Sequence, residues 1–559
     1  MEVAGLTITV FHEVYDLYMF ISQVIDDARN QEKDLGDIAF KFTHQHSILQ
    51  TFGTRFIKGR IIYKLDSTNL RQISELLQRL KSSAQLYQNL FTKYTRQGDD
   101  GGSDGPCECT DPTHLRQETI YSSSPPAPSV RGGGGVVERL RKKMSKVQWA
   151  LFDRQRLEAI VNEHKTWTDM LSEIIKWALL LYSAEDYGQT KDLDEDAHRL
   201  GFSTLTTRRM MILDPRQSTS ALNLDCGEII FNAPKRPTKK EGPQPTERTY
   251  SCASVKGLKC LIEFKGYSSQ HYHTDGDDIR ERIQFLARLF SVENDHVSSA
   301  SPITSLACLG YFHEPEKRRY GLAFQVPHGY SGRPFSLLDA IAKLESDERP
   351  TLGERFGMAY AISYGLMEWH LIEWVHKGIS GENIYLFRPH RQKRCDFSSP
   401  RIGGFEYSRP QFQGSVASDR VFRRGIRTNI YRHPDRQGNT AKPHQVVHDL
   451  YSLGVLLLEI GLWMDATSPE LYQEKKLKPA EMKELSLEKK LRPAEMKENL
   501  IRQARSRLGH IMGKRYLEAV LFCLQAADED QVQGASLKLS AAAFKEHVVD
   551  VFEKARMYL

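Results

Sequence analysis

Four groupings of residues in this 559-residue chain could do chemistry. Cys107-Glu-Cys109 with His114 offers metal ligands, but no second ligand pair follows at zinc spacing. It also sits in a stretch of Gly, Ser, Asp and Pro, so a solvated loop is the expectation. Arg139, Arg141, Lys142, Lys143 and Lys146 form a basic cluster able to attract anionic lipid headgroups, although a solvated helix face is the plainer reading. Val3, Leu6, Val10, Val14, Leu17, Ile21 and Val24 make an apolar stripe at the N-terminus. The fourth grouping joins Lys265, which closes the strand-like Leu-Ile-Glu-Phe-Lys, to two loops rich in His, Asn and Gly. These are Val375-His-Lys-Gly-Ile-Ser-Gly-Glu-Asn-Ile384 and Arg401-Ile-Gly-Gly-Phe-Glu406.

The first of those loops resembles the catalytic loop of protein kinases, His-Arg-Asp-Leu-x-x-x-Asn, with His376 and Asn383 matching in type and spacing. Gly378 stands at the position of the catalytic Asp and Ser380 at that of the catalytic-loop Lys. In the second loop Phe405 matches the Phe of Asp-Phe-Gly, while Gly404 replaces the Asp and Glu406 the Gly. Tyr431-Arg-His-Pro-Asp435 is similar to the end of the activation segment. His448-Asp-Leu-Tyr-Ser-Leu-Gly-Val-Leu-Leu-Leu-Glu459 is similar to the central helix of the large lobe, with Asp449 at the place of the residue that braces the catalytic loop.

The resemblance implies that Lys265 is the nucleotide-pairing lysine and Glu281 its ion-pair partner, although no Gly-x-Gly-x-x-Gly precedes Lys265. Lys265, Glu281 and Asn383 would be vestiges of a cofactor site, leaving room for weak ATP binding but no resident cofactor. Phosphoryl transfer needs one carboxylate to accept the hydroxyl proton and another to hold the magnesium that bridges the phosphates. Glycine supplies neither. The expectation is therefore no catalytic residue, no metal and no enzyme activity, with Gly378 and Gly404 as the degenerate positions. Glu406 is the nearest substitute, but it stands two residues from the missing ligand.

The elements that must position these loops follow from periodicity. Cys260–Lys265 and Tyr320–Val326 read as strands. Leu352–His370 reads as a helix with Phe356, Ala359, Ile362, Leu366 and Trp369 on one face, and the segment from His448 is apolar all round, as a buried helix must be. Strands first and long helices afterwards imply an α+β domain with a small sheet lobe and a larger helical lobe. Glu474–Lys483 recurs as Glu488–Lys497, offset by 14 residues; a tandem duplication in a surface insertion is the expectation.

Upstream, Val3, Val10, Leu17 and Val24 recur every seven residues with Val14 and Ile21 between them, the mark of an amphipathic helix. Helical patterns continue at Ile38–Phe52, Leu70–Tyr94 and Val136–Tyr182, the last with an expected break and Asp153 as an N-cap. Met1-Glu-Val-Ala-Gly-Leu6, Phe40–Gly53 and Lys146–Val161 resemble HeLo domains of fungal prion-inhibition and propagation proteins. That resemblance implies a membrane-targeting effector whose first helix leaves the bundle. His12, Glu13 and Asp16 oppose insertion of that helix alone, which leaves oligomeric assembly or an interfacial position.

Composition fits this plan. The formal charge of +6 from 77 basic and 71 acidic side chains does not point to a dedicated nucleic-acid binder, and eight dispersed cysteines do not make a disulfide framework. No secretory signal and no obligate membrane span are read. The expected architecture is multidomain, an all-α helical bundle followed by an α+β protein-kinase-like bilobal fold. Residues 1–215 form the HeLo-like bundle, with 98–135 a disordered loop within it. Residues 216–250 are a linker and lead-in strand, and 251–559 are the kinase-like domain, split into a small lobe (251–330) and a large lobe (331–559). The plan is similar to that of the mixed-lineage kinase domain-like executioners of necroptosis. The function expected is a non-catalytic, regulated membrane effector in fungal heterokaryon incompatibility or programmed cell death. Such a protein would be cytoplasmic and conditionally membrane-associated, contacting lipid and homo-oligomerising on activation under an unidentified upstream protein partner. A soluble signalling scaffold and an atypical kinase remain open alternatives.

Overall fold

The computed structural model describes residues 2–29, 36–65, 67–97, 146–182, 190–213, 222–232, 250–267, 272–291, 304–411, 429–437, 443–468, 471, 492–527 and 537–558. The chain divides into two compact units, Met1–Asp192 and Leu193–Leu559. It is mostly helical, with a helical N-terminal region and antiparallel sheets in the C-terminal part.

In the first unit, α1 (Glu2–Arg29), α2 (Gly36–Thr51), α3 (Ser67–Gln97) and α4 (Lys146–Tyr182) pack on one another; α2 runs on through a π-helical turn at Phe52–Lys58. The apolar stripe of α1 explains its placement: Val10, Val14, Leu17, Tyr18, Ile21, Val24 and Ile25 are all buried. Gly53 permits the closest approach, since a Cβ there would lie 2.9 Å from the Phe11 ring. Helix α4 is continuous from Lys146 to Tyr182, against the expected break, so Asp153 lies inside a helix rather than at its start. Its Leu, Glu, Ala, Arg and Lys neighbours are strong helix formers, and their summed preference overrides one local capping residue.

The second unit begins with α5 (Thr190–Arg199, which crosses the unit boundary) and α6 (Ser203–Leu213). Sequence reading grouped α6 with the first domain; it belongs instead to the second unit. Arg208 on α6 donates to the Leu289 carbonyl and lies 5.1 Å from the Trp369 ring centre. A five-stranded antiparallel sheet follows, in the order β1 (Ile229–Phe231), β2 (Tyr250–Val255), β3 (Leu258–Gly266), β5 (Arg319–Gln325), β4 (Cys308–Glu314). Leu222–Leu224 pairs with β4 through Leu224 N to Tyr311 O and Tyr311 N to Leu222 O, both 2.8 Å, so one stretch of chain covers both sheet edges. Gly310, at φ 153°, is required there: a Cβ would collide with the Leu222 carbonyl. Inside the curl lie Ile229, Ala253, Val255, Cys260, Ile262, Phe312 and Ala323.

Helix α7 (Tyr272–Ser291) packs on β4. Beyond the sheet come the short strands β6 (Phe335–Ser336), β7 (Trp374–Val375), β8 (Ile384–Leu386), β9 (Arg401–Ile402) and β10 (Arg409–Pro410). They lie among α8 (Leu337–Lys343), α9 (Leu352–Leu371), α10 (Val446–Leu462), α11 (Pro493–Gln503), α12 (Lys514–Gln525), α13 (Leu537–Phe544) and α14 (Asp550–Tyr558). A capping box starts α9: Thr351 Oγ1 accepts from Glu354 N at 3.3 Å, and Glu354 Oε2 accepts from Thr351 N at 2.7 Å. Helix α10 is buried from Val446 to Gly461 except for Val447, as its all-round apolarity requires. Of the second copy of the duplication, residues 492–497 are described: they open α11, with Met496 and Lys497 buried and Arg492 and Ala494 exposed; the first copy and residues 488–491 lie outside the described residues.

Candidate functional site

Residues 376–383 and 403–408 meet beneath β3. Asp449 on the buried helix α10 fixes the first of these loops, its carboxylate accepting from His376 N at 2.7 Å and Lys377 N at 2.9 Å. His444 Nε2 at 2.8 Å and His370 Nε2 at 3.2 Å complete its shell. Burial works against the charge on Asp449, but these two histidines outweigh it and hold the carboxyl well below the usual range. The bracing expected of Asp449 is thus present. His376 is fully buried; desolvation depresses it to about 4, and it lies 4.3 Å from the Phe405 ring. Phe405 also contacts Phe290 at 4.4 Å and Trp369 at 5.3 Å, so an aromatic column joins α7, α9 and both loops.

Gly378, Asn383 and Gly404 are brought together and leave no space between them. Asn383 Nδ2 donates to Gly378 O at 2.7 Å. A Cβ on Gly378 would sit 2.7 Å from Gly404 O. Gly404 has φ 81°, and a Cβ there would collide with the Asn383 amide. Backbone and amide therefore fill the space at the two positions where the kinase resemblance would set carboxylates.

Lys265 is buried with its Nζ 3.7 Å from the centre of the Tyr407 ring, a cation–π geometry. Glu281 is exposed on α7. Its neighbour Arg282 turns inward instead, donating to Tyr407 O at 2.6 Å and Ser408 O at 2.7 Å. The carboxylate at the centre of the cleft is Glu263, which sequence reasoning missed. It accepts from Gly404 N at 2.8 Å, Tyr385 Oη at 3.1 Å and Phe405 N at 3.3 Å. Desolvation first, and then the charge of Glu406, push Glu263 up to about 7 against those three bonds. Tyr385 packs edge-on against Tyr250 of β2, closing the space from the other side. The available signal was an acidic residue within an apolar strand, two residues before Lys265 and so on the same face of the pleat.

Among the described residues one trio, His433, Asp435 and His448, has ligand atoms close enough for a metal ion. Its hydrogen bonds do not suit one. A metal-bound imidazole needs its second nitrogen to donate to an acceptor. Here His448 Nδ1 faces the Gln445 N–H at 2.9 Å, which leaves the proton on Nε2, and His433 Nε2 faces Lys497 Nζ at 2.9 Å.

In the first unit, the stripe residues Val10, Val14, Leu17, Ile21 and Val24 are in the core, whereas Val3 (47% exposed) and Leu6 (61%) face outward. Tyr18 Oη lies 2.8 Å from His164 Nδ1, fastening α1 to α4. No described helix is long and apolar enough to cross a membrane. Cys107, Cys109, His114 and the basic residues 139–143 lie outside the described residues, as does the side chain of Lys146. No family model and no curated protein matches this chain.

Proposed function

We propose that this protein is a non-catalytic, regulated effector. A HeLo-type helical bundle acts on membranes under the control of a C-terminal domain with a bilobal, protein-kinase-like fold that transfers no phosphate. The observation that carries the non-catalytic part is the closure at Gly378, Asn383 and Gly404, where an amide and a carbonyl occupy the space that proton-accepting and metal-binding carboxylates would need. Losing either group is worth roughly a thousandfold in rate. The setting in fungal incompatibility or programmed cell death rests on the resemblance alone.

The membrane part is supported by α1. Its apolar residues are spent on the bundle core, so contact with lipid through them requires release of the helix, starting from the exposed Val3 and Leu6 end. A trigger must favour the released state over the docked one by a few kcal/mol. Dye-loaded anionic vesicles test this. The N-terminal unit should bind them and release dye, and failure of both binding and leakage would discard membrane action in favour of a protein-binding scaffold.

A further inference from the structure

The geometry points to Glu263 as a proton-operated latch on residues 403–408: ionised, its carboxylate holds the backbone amides of Gly404 and Phe405; protonated, it holds the Gly404 amide far more weakly. All three partners of this buried carboxyl are donors: the amides of Gly404 and Phe405 and the hydroxyl of Tyr385. A carboxylate accepts from all of them. A carboxylic acid must spend one oxygen as a donor, and neither amide can accept. The Tyr385 oxygen can, and turning toward it makes Oε1, which also serves Gly404, a hydroxyl oxygen and a much weaker acceptor for that amide.

The groups around Glu263 favour titration there. Glu406 of the held segment adds like charge, and the Cys308 thiol of β4 is buried nearby. Tyr250 stands opposite on β2. Lys265 on the same strand is placed over the Tyr407 ring, and Arg282 of α7 is engaged with the Tyr407 and Ser408 carbonyls. The midpoint about 7 places the change near neutrality. Arg282 holds the far end of the segment in either state, so opening is confined to Gly403–Phe405. Gly403 N donates to Asn383 O at 2.8 Å, and Gly404 O lies against Gly378, so the change reaches the 376–383 loop. This inference needs neither membrane action nor the absence of catalysis.

Amide hydrogen exchange on the full chain tests it. After correction for intrinsic rates, protection at Gly404 and Phe405 should fall about tenfold between pH 8 and pH 6, as a group titrating near 7 requires. Glu263→Gln should be weakly protected at both pH values. Should that variant fold poorly, Tyr385→Phe, which removes one donor from the carboxylate, should move the midpoint upward. Protection that is independent of pH in the wild type, or a midpoint unmoved in Tyr385→Phe, overturns the latch.

Discussion

Placing at Gly404 the carboxylate that the kinase resemblance would call for should damage the protein rather than repair it. In Gly404→Asp the new residue inherits φ 81°, which costs a side-chain-bearing residue about 1–2 kcal/mol. Its Cβ must also displace the Asn383 amide, forfeiting the bond to Gly378 O for about another 1 kcal/mol. The sum is roughly 2–3 kcal/mol, a fall of several degrees or more in the melting of the second unit. Scanning calorimetry of the full chain reads it, with Gly357→Asp as a control, because a Cβ at Gly357 meets nothing within 4 Å and the residue lies in a helix. Asparagine at 404 should be as damaging, since the penalty is steric. Gly378→Asp adds a second collision, 2.7 Å from Gly404 O, so the double variant should be worse still. A Gly404→Asp protein melting within a degree of wild type, or a double variant that transfers phosphate, refutes the closure argument.

Three further outcomes follow. His164, buried and held by desolvation at about 3, refuses the proton that the unfolded chain takes up near 6.5. Stability of the N-terminal unit is therefore whole above pH 6.5 and falls below it, by about 2 kcal/mol at pH 5; urea midpoints across that range should show the loss, and His164→Gln should flatten it. Tyr18→Phe strips Nδ1 of its partner and should cost about 1–3 kcal/mol in the same assay. Lys497→Ala should loosen α11, measured as faster exchange of its amides, because the buried ammonium bridges to His433.

Legibility differed by element. Strands β3 and β5 and helices α1 and α9 were readable because each carries an apolar period, and α10 because it is apolar all round. Asp449 was readable because its place in a motif fixes its neighbours in space. The continuity of α4 was not, since a single capping residue was weighed above the summed preference of the helix around it. The attachment of α6 rests on Arg208, whose partners Leu289 and Trp369 are distant in sequence. At the cleft, the two glycines identified the positions, but their close packing against Asn383 is a matter of backbone φ and of contacts that no spacing reveals. Glu263 stood in plain view within Leu-Ile-Glu-Phe-Lys. Its partners Tyr385 and Gly404 lie more than a hundred residues away, and without them a strand carboxylate reads as surface. The duplicated segment was read as part of a surface insertion; of its second copy, Met496 and Lys497 are buried where α11 begins.

The most direct test is phosphate transfer from labelled ATP with magnesium, comparing the wild type with Lys265→Ala and scoring autophosphorylation and a general acceptor protein. The account predicts the same background incorporation from both. Incorporation above background in the wild type, abolished in Lys265→Ala, would contradict it and make the protein an enzyme.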